Sequence, residues 1–530
     1  MPFFIKNNLL FIFLLSSFFL RGQEKKQDDL IHIIYADYAT TSEKYPGKQL
    51  LSGHVQIEHN NALLFCDKAL VDKKENKAIA IGSVRLVQGD SVEMKAHYIS
   101  YDGKKSFAKA IGDVFLKDPQ MRLKTDTLLF DRKKQEAYYT SGGMIRDSVN
   151  TLKSKIGRYF LEEKKFRFIN NVHIDNPEYQ LDSYQLDYFT DSGISNFYGP
   201  TKIYNPHSYV YAEKGHYDSK KKISWFVKNA FIKDRHTTIK GDSLYYDQQK
   251  SYANGTGNMV LHDSINKTWI YSDYGQYWGN KDSVEVTKKP LLITLTEKDT
   301  LYSRAQKFIM AGKNKEREIW AFHKVRFFSN EFSGRSDSIY RNDSLKIMKM
   351  LNKPVVWSKN NQITGETIII KNDSLNNVDS LLIPKNVFII QKDTTGYNQI
   401  KGKELKGKII NKKLDHIDIT GNTEVIFYLR EDNGKLTGIE KNKSSRIYIG
   451  FKNGEINKTR FYQKVDGIIY PPNELKEKKL KGFLWRGEEQ IKSKEDILEY
   501  IIPEYNATVP QKKTETEEEN IIPFEKETNQ

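Results

Sequence analysis

One cysteine, Cys66, stands in 530 residues. No intramolecular disulfide can form, so the fold must be held by backbone ladders and core packing. The plain reading of Cys66 is a small buried apolar residue. Proline is scarce as well, 14 in all, mostly near expected turns. No phosphate-cradling glycine loop followed by Lys-Ser/Thr occurs, which removes nucleotide hydrolysis as a source of directed movement. The apolar run from Leu9 to Leu20, twelve residues, is too short to span a bilayer comfortably. With Lys6 before it and Arg21-Gly22-Gln23 after it, residues 1–22 read as a secretory signal peptide, and no cysteine follows to carry a lipid.

What is present leans toward strand. The chain holds 31 Tyr and 28 Phe beside frequent Ile, Val and Thr, the composition of pleated, half-buried surfaces. The formal charge of +16 becomes +14 once Lys6 and Arg21 leave, and 29% of residues are charged with both signs interspersed. Charge alone would admit nucleic acid. Export argues against it and favours an anionic lipid or polysaccharide; no cofactor or metal is called for.

The main signal is a repeat. A small residue followed by alternating apolar positions recurs as GHVQI from Gly53, GSVRL from Gly82, GDVFL from Gly112 and GMIRD from Gly143. It continues as NVHID at Asn171, GPTKI from Gly199, NAFIK at Asn229 and GNMVL from Gly257, at intervals within a few residues of about 29. A second pattern on the same period ends in Asp72, Asp102, Asp131, Asp218 and Asp247. Phe160 and Phe189 fill the gap in its register. Two interleaved patterns with one period establish an array in which each unit is a hairpin of two long antiparallel strands.

Within a unit the alternation has period two: Ala108, Ala110, Gly112, Val114 and Leu116 share one face, while Lys109, Asp113 and Lys117 point away. Glycine inside a strand marks a bend or close approach, so aligned glycines imply strands folded into a V-shaped trough. The aspartates precede Lys- or Gly-containing turns, where Asp accepts local backbone bonds, so they read as turn formers rather than ligands or acids.

After residue 280 the copies loosen: KPLLI from Lys289, KVRFF from Lys324, KPVVW from Lys353, KNVFI from Lys385 and TGNTEVIFYL around Gly421. The expected organisation is repeats over 23–280, a more degenerate block over 281–470, a capping segment over 471–502 that covers the last sheet edge, and a disordered polar tail over 503–530. If thirteen repeats give about two rungs each at about 4.8 Å, the trough extends on the order of 120 Å.

AIGSVRL, AIGDVFL, DTLLFD and DSLYYD together resemble the organic solvent tolerance (OstA/LptA) family, over roughly residues 30–470 and most specifically over the first two hundred of these. YNQIKGKEL and GFLWRGEE resemble OstA-like proteins of one bacterial lineage. The resemblance implies an all-β, elongated twisted β-jellyroll in the periplasm, associated with the outer membrane, with no catalytic residues to carry over. It implies that lipopolysaccharide is held by its acyl chains in a hydrophobic interior. It also implies partners of like fold stacked end to end, including an outer-membrane barrel translocon. The polar C-terminal half and lack of a terminal aromatic strand argue against a barrel in this chain itself.

An acyl chain needs a slot lined by branched and aromatic side chains, with burial worth about 0.8 kcal/mol per CH₂. The inward positions expected to supply it are Val55, Ile57, Val84, Leu86 and Val114, then Leu116, Leu128 and Phe130, with Leu244 and Tyr246 further along. An ordinary closed core is the alternative use of the same residues. Lysines on the rim could meet lipid phosphates, though such residues more often keep edges soluble. Two other functions fit a β-repeat: a structural or adhesive spacer, and a polysaccharide-acting β-solenoid enzyme. The enzyme would need paired carboxylates unique to one repeat.

Overall fold

The computed structural model describes residues 31–500 apart from short breaks at turns, among them 60–61, 296–298 and 313–315. The expected signal peptide and the tail expected over 503–530 lie outside the described residues. Within them nearly everything is strand, joined into one antiparallel sheet. The chain meanders, so that Ala62–Asp72 pairs with Tyr45–His59 on one side and Lys77–Gln88 on the other. The ladder runs through residues 280–281 without a gap, since Thr268–Trp278 pairs with both Ser283–Thr287 and Leu291–Leu295.

A corner folds this sheet. Ile81 pairs with Tyr98 and Val84 with Ala96, which leaves Gly82 and Ser83 opposite His97 alone. Two residues against one is a β-bulge, and a bulge bends its strand. Gly53, Gly82, Gly112, Gly199 and Gly257 take φ between 70° and 93° at this place, a conformation glycine adopts at little cost. Asn170, Asn171, Lys228, Asn229, Lys288, Lys289, Lys324 and Asn386 continue the column in the left-handed region. The aligned bends read from the repeat are therefore present, in the later, looser copies as well.

Each long strand crosses the corner from one rim to the other, and the sheet closes into a trough with two jaws. One rim is built from the aspartate turns. The carboxylates of Asp72, Asp102, Asp131 and Asp247 accept the backbone N–H of Glu75, Lys105, Lys134 and Lys250 at 2.9–3.1 Å. Asp218 does the same for Lys221 at 2.9 Å. These aspartates are turn formers, as their sequence context implies. Phe160 and Phe189 hold the equivalent places, with the Lys165 ammonium 4.6 and 5.7 Å from their ring centres. Successive turns stack through the backbone, Gly103 N–H donating to Asn76 O and Arg132 N–H to Ser106 O.

The other jaw, here called the opposite jaw, has a feature the sequence did not suggest. The segment expected to cap the last edge instead runs back along this jaw's outer face. Gln399, fully buried, donates from Nε2 to Lys478 O at 2.8 Å and accepts from Leu480 N at 2.9 Å. Gln362, also fully buried, treats Leu484 O and Arg486 N in the same way. Each amide thus mimics a backbone unit and seats the strap in register. Further back, Arg335 pairs with Glu489, and Arg304 donates to Ile497 O and Leu498 O. Phe388, Ile390, Ile426 and Ile439 pack beneath Leu480, Phe483 and Trp485. Among the described residues the strands at both ends of the array pair on one side only: His32–Tyr35 and Tyr38–Ser42 at one, Glu455–Tyr462 and Asp466–Tyr470 at the other.

Candidate lipid-binding trough

The interior is assembled from the inward faces of both jaws. On the strands that carry the bulge, inward positions keep a step of two, as Ala110 and Val114 do about Gly112. On the intervening strands the step widens to three across the corner: Cys66 to Ala69, Ala96 to Ile99, Thr125 to Leu128. Strict alternation read across those corners would turn half of each strand inside out.

The expected lining residues fall into two groups. Val55, Ile57, Val84 and Val114 are 0–5% exposed in one packed cluster with Leu51, Ala69 and Ile99, and Leu86 packs against it. Leu116 and Leu128 border the next cluster, around Leu123, Phe168 and Leu186. Phe130 is half-buried, in register with Ala108 and Ala137. Here the jaws meet and the interior is filled by its own side chains: His59 on one rim lies 5.1 Å from Tyr101 of the other jaw. Cys66 belongs to this core, where burial pushes its thiol up to about 11.

Leu244 and Tyr246 stand elsewhere. They line a cavity of about 680 Å³ where the packed clusters give way, between Ile203 and Arg317. Its walls are largely apolar, including Val210, Phe226, Ile239, Met259, Ile270 and Val286. Gly255 and Gly275 keep the floor low, since a Cβ on either would meet Met259 within 3.1 Å. Burial raises the pKa of Tyr246 and of Tyr277, and the neighbouring Asp247 and Asp282 add to the effect, so both phenols are neutral hydrogen-bonding groups in an apolar wall.

The polar groups gather at the mouth. Asp263, at the end of Tyr252–Asp263 on the opposite rim, and Arg317, just before Glu318–Phe328 on the aspartate rim, approach to 3.8 Å across it. Burial pushes the Asp263 carboxyl up, but hydrogen bonds from Asn266 and the Arg317 charge outweigh it and hold the group ionised. Along the aspartate rim, lysines pair with neighbouring turns, Lys104 with Glu75 and Lys164 with Asp191, both at 2.8 Å. Among the described residues no cluster of three or more His, Cys, Asp or Glu is arranged to hold a metal.

Sequence reasoning also missed a polar ladder on the outside of the corner. His54 Nδ1 lies 2.9 Å from Asp37, Ser83 N–H donates to Asp67, Asn258 Nδ2 to Asp242, and His323 lies 2.9 Å from Asp337. In the first three pairs the aspartate precedes the bulge by 16 or 17 residues, about one strand, and in the fourth it follows by 14, on the next strand.

The comparisons with known proteins bear on the array. Residues 28–184 match the family described as OstA-like protein. That stretch, less than a third of the chain, is similar to the OstA-like family. It holds the corners from Gly53 to Asn171 and all the expected lining residues from Val55 to Phe130, whereas the cavity opens beyond it. No curated protein matches the chain. A similar solved structure is LptH of Pseudomonas aeruginosa, titled the LptA homologous periplasmic component of the conserved lipopolysaccharide transport device. It is 15% identical over 20% of this chain and 81% of its own, with a TM-score of 0.19. The bulged corner and inward apolar faces of residues 28–184 recur in the strands that follow.

Proposed function

We propose that this chain is a periplasmic, non-enzymatic bridge that holds lipopolysaccharide by its acyl chains between the jaws and passes it toward the outer membrane. The observation that carries the reading is the apolar cavity, built from inward faces of both jaws and reached between two polar rims. Apolar walls and a polar mouth match an amphiphile whose tails are buried and whose sugars and phosphates stay outside. Movement along the array then requires the jaws to part over Val55, Val84 and Val114, where they now meet. Non-directional apolar packing resists such opening without specifying one partner. Energy for direction comes from elsewhere, and like-folded components in line with the open terminal edges, ending at an outer-membrane barrel, would receive the cargo.

The packed N-terminal interior favours a second reading, a rigid spacer with a closed core. Photocrosslinking in living cells separates them, with probes at Leu244 and Val114. Lipopolysaccharide adducts at both support the bridge. An adduct at Leu244 alone makes the cavity a fixed lipid site. Adducts to protein only, from both positions, sink lipid carriage and leave the spacer.

A further inference from the structure

The strap ends in the described chain at Tyr500, but the surface it follows does not. At its end Leu498, Glu499 and Tyr500 border a concavity of about 600 Å³ whose far side is Val260, Tyr271 and Leu291 of the opposite jaw. Leu291 and Ile293 are the last residues of that face packed with the strap, through Ile491 and Ile497. Beyond them the same outer row continues in register from Leu291 to Tyr271, Val260, Lys240, Phe231 and Tyr211. Tyr271 is 38% exposed. Beside this row His262 and Trp269 stack at 4.4 Å, and the Lys240 ammonium lies 5.5 Å from the Phe231 ring centre. An aromatic row on the solvent side of a sheet, continuous with a face already covered by the chain's own strap, has the chemistry of an unfilled part of that interface.

The next residues have matching chemistry. From Ile501 the sequence reads IIPEYNATVP. Ile501, Pro503, Tyr505, Ala507 and Val509 fall on one side of an extended chain, and Ile502, Glu504, Asn506 and Thr508 on the other. Pro503 and Pro510 lack the N–H that a ladder strand donates, which suits a segment lying across strands rather than pairing with one. The five steps from Leu291 to Tyr211 span about 24 Å at about 4.8 Å per strand. Nine extended residues reach about 30 Å. After Pro510 and the basic pair Lys512-Lys513 the sequence turns acidic, with Glu515, Glu517, Glu518 and Glu519, while Lys202, in register with Tyr211, lies on the next strand of the face.

We propose that Ile501–Val509 extends the strap, lying across the outer face of the opposite jaw from Tyr271 to Tyr211. The occupant is this chain's own segment, and its placement is independent of what fills the interior.

The test uses the full chain with a benzophenone amino acid replacing Tyr271 in one sample and Tyr211 in another. Each is irradiated as an equal mixture of ¹⁴N- and ¹⁵N-labelled protein and mapped by mass spectrometry. Expected are crosslinks within one copy, from position 271 to the beginning of 501–509 and from position 211 to its end. A chain stopped after Tyr500 should keep its circular dichroism and lose both crosslinks. Mixed-isotope crosslinks would mean that a second copy covers the face and would overturn the proposal. So would crosslinks within one copy that reach other segments, or irradiation that yields no crosslinked peptide in the full chain.

Discussion

Asp263 and Arg317 meet at 3.8 Å although each is anchored on a different rim, so one ion pair joins the two jaws directly over the cavity. The side chains remain 19% and 30% exposed, which places the pair among partly screened surface bridges worth about 1 kcal/mol at most. Arg317→Ala is therefore expected to speed entry of a fluorescent acyl lipid into the purified protein by up to about fivefold. In the parent chain the entry rate should rise with salt, and in the variant it should not. Equal rates and equal salt dependence would show that the pair does not guard the mouth.

Ala253 lines the cavity and faces Tyr246 and Tyr277 across the ladder. Ala253→Phe should fill space that a lipid tail would occupy. Native mass spectrometry is expected to show loss of co-purified lipid, with circular dichroism unchanged. Retained lipid would move the binding site out of this cavity.

Gly82 holds φ at 93°, and a Cβ there would sit 2.1 Å from Asp67 Oδ2. Gly82→Ala should cost about 1–3 kcal/mol, felt locally because each rung contacts only its neighbours. Hydrogen exchange should quicken in Ala62–Asp72, Lys77–Gln88 and Val92–Asp102, and stay unchanged beyond residue 300. Replacing Asp67 by Ala in the same chain relieves the clash but not the backbone strain, so protection should return only in part.

The corner column was legible because glycine and asparagine betray left-handed backbone wherever they recur on a period. The aspartate turns were legible for a similar local reason. The widened step from Ala96 to Ile99 was not, because nothing in a strand's own sequence says where its neighbour bulges. Nor was the gap between packed clusters that makes the cavity, since Leu244 and Tyr246 carry the same pattern as Leu128 and Phe130. The covered outer face did leave a trace. Val387, Phe388, Ile389 and Ile390 form an unbroken apolar run, the mark of a strand buried on both sides, and they divide between the interior and the strap.

Gln362 and Gln399 seat the strap by satisfying one backbone donor and one acceptor each. Gln362→Leu leaves Leu484 O and Arg486 N without their partner, at a cost of about 1–3 kcal/mol. Limited proteolysis should then cut within 484–500 faster than in the parent chain, with the sheet intact. Equal cutting would mean that the apolar contacts of Phe483 and Trp485 hold the strap unaided.

Arg430 grips Asp393 with two bonds, Nε to Oδ1 at 3.0 Å and Nη2 to Oδ2 at 2.5 Å. The guanidinium is the main cause that draws the carboxyl down to about 2. A depressed carboxylate stabilises the fold fully above its unfolded value, near 4, and loses that contribution as pH falls toward 2. The urea midpoint of the C-terminal region should therefore drop across that window. In Asp393→Asn the part of the drop due to this group should vanish.

The strap also divides the molecule mechanically. Where it lies, the opposite jaw is two layers thick with an apolar seam between them, and a doubled plate resists bending far more than a single sheet. Among the described residues the backing stops at Leu291, and the proposed extension would carry it to Tyr211. Any spreading of the jaws should thus be taken up by the strands that remain a single layer, on the N-terminal side of Tyr211.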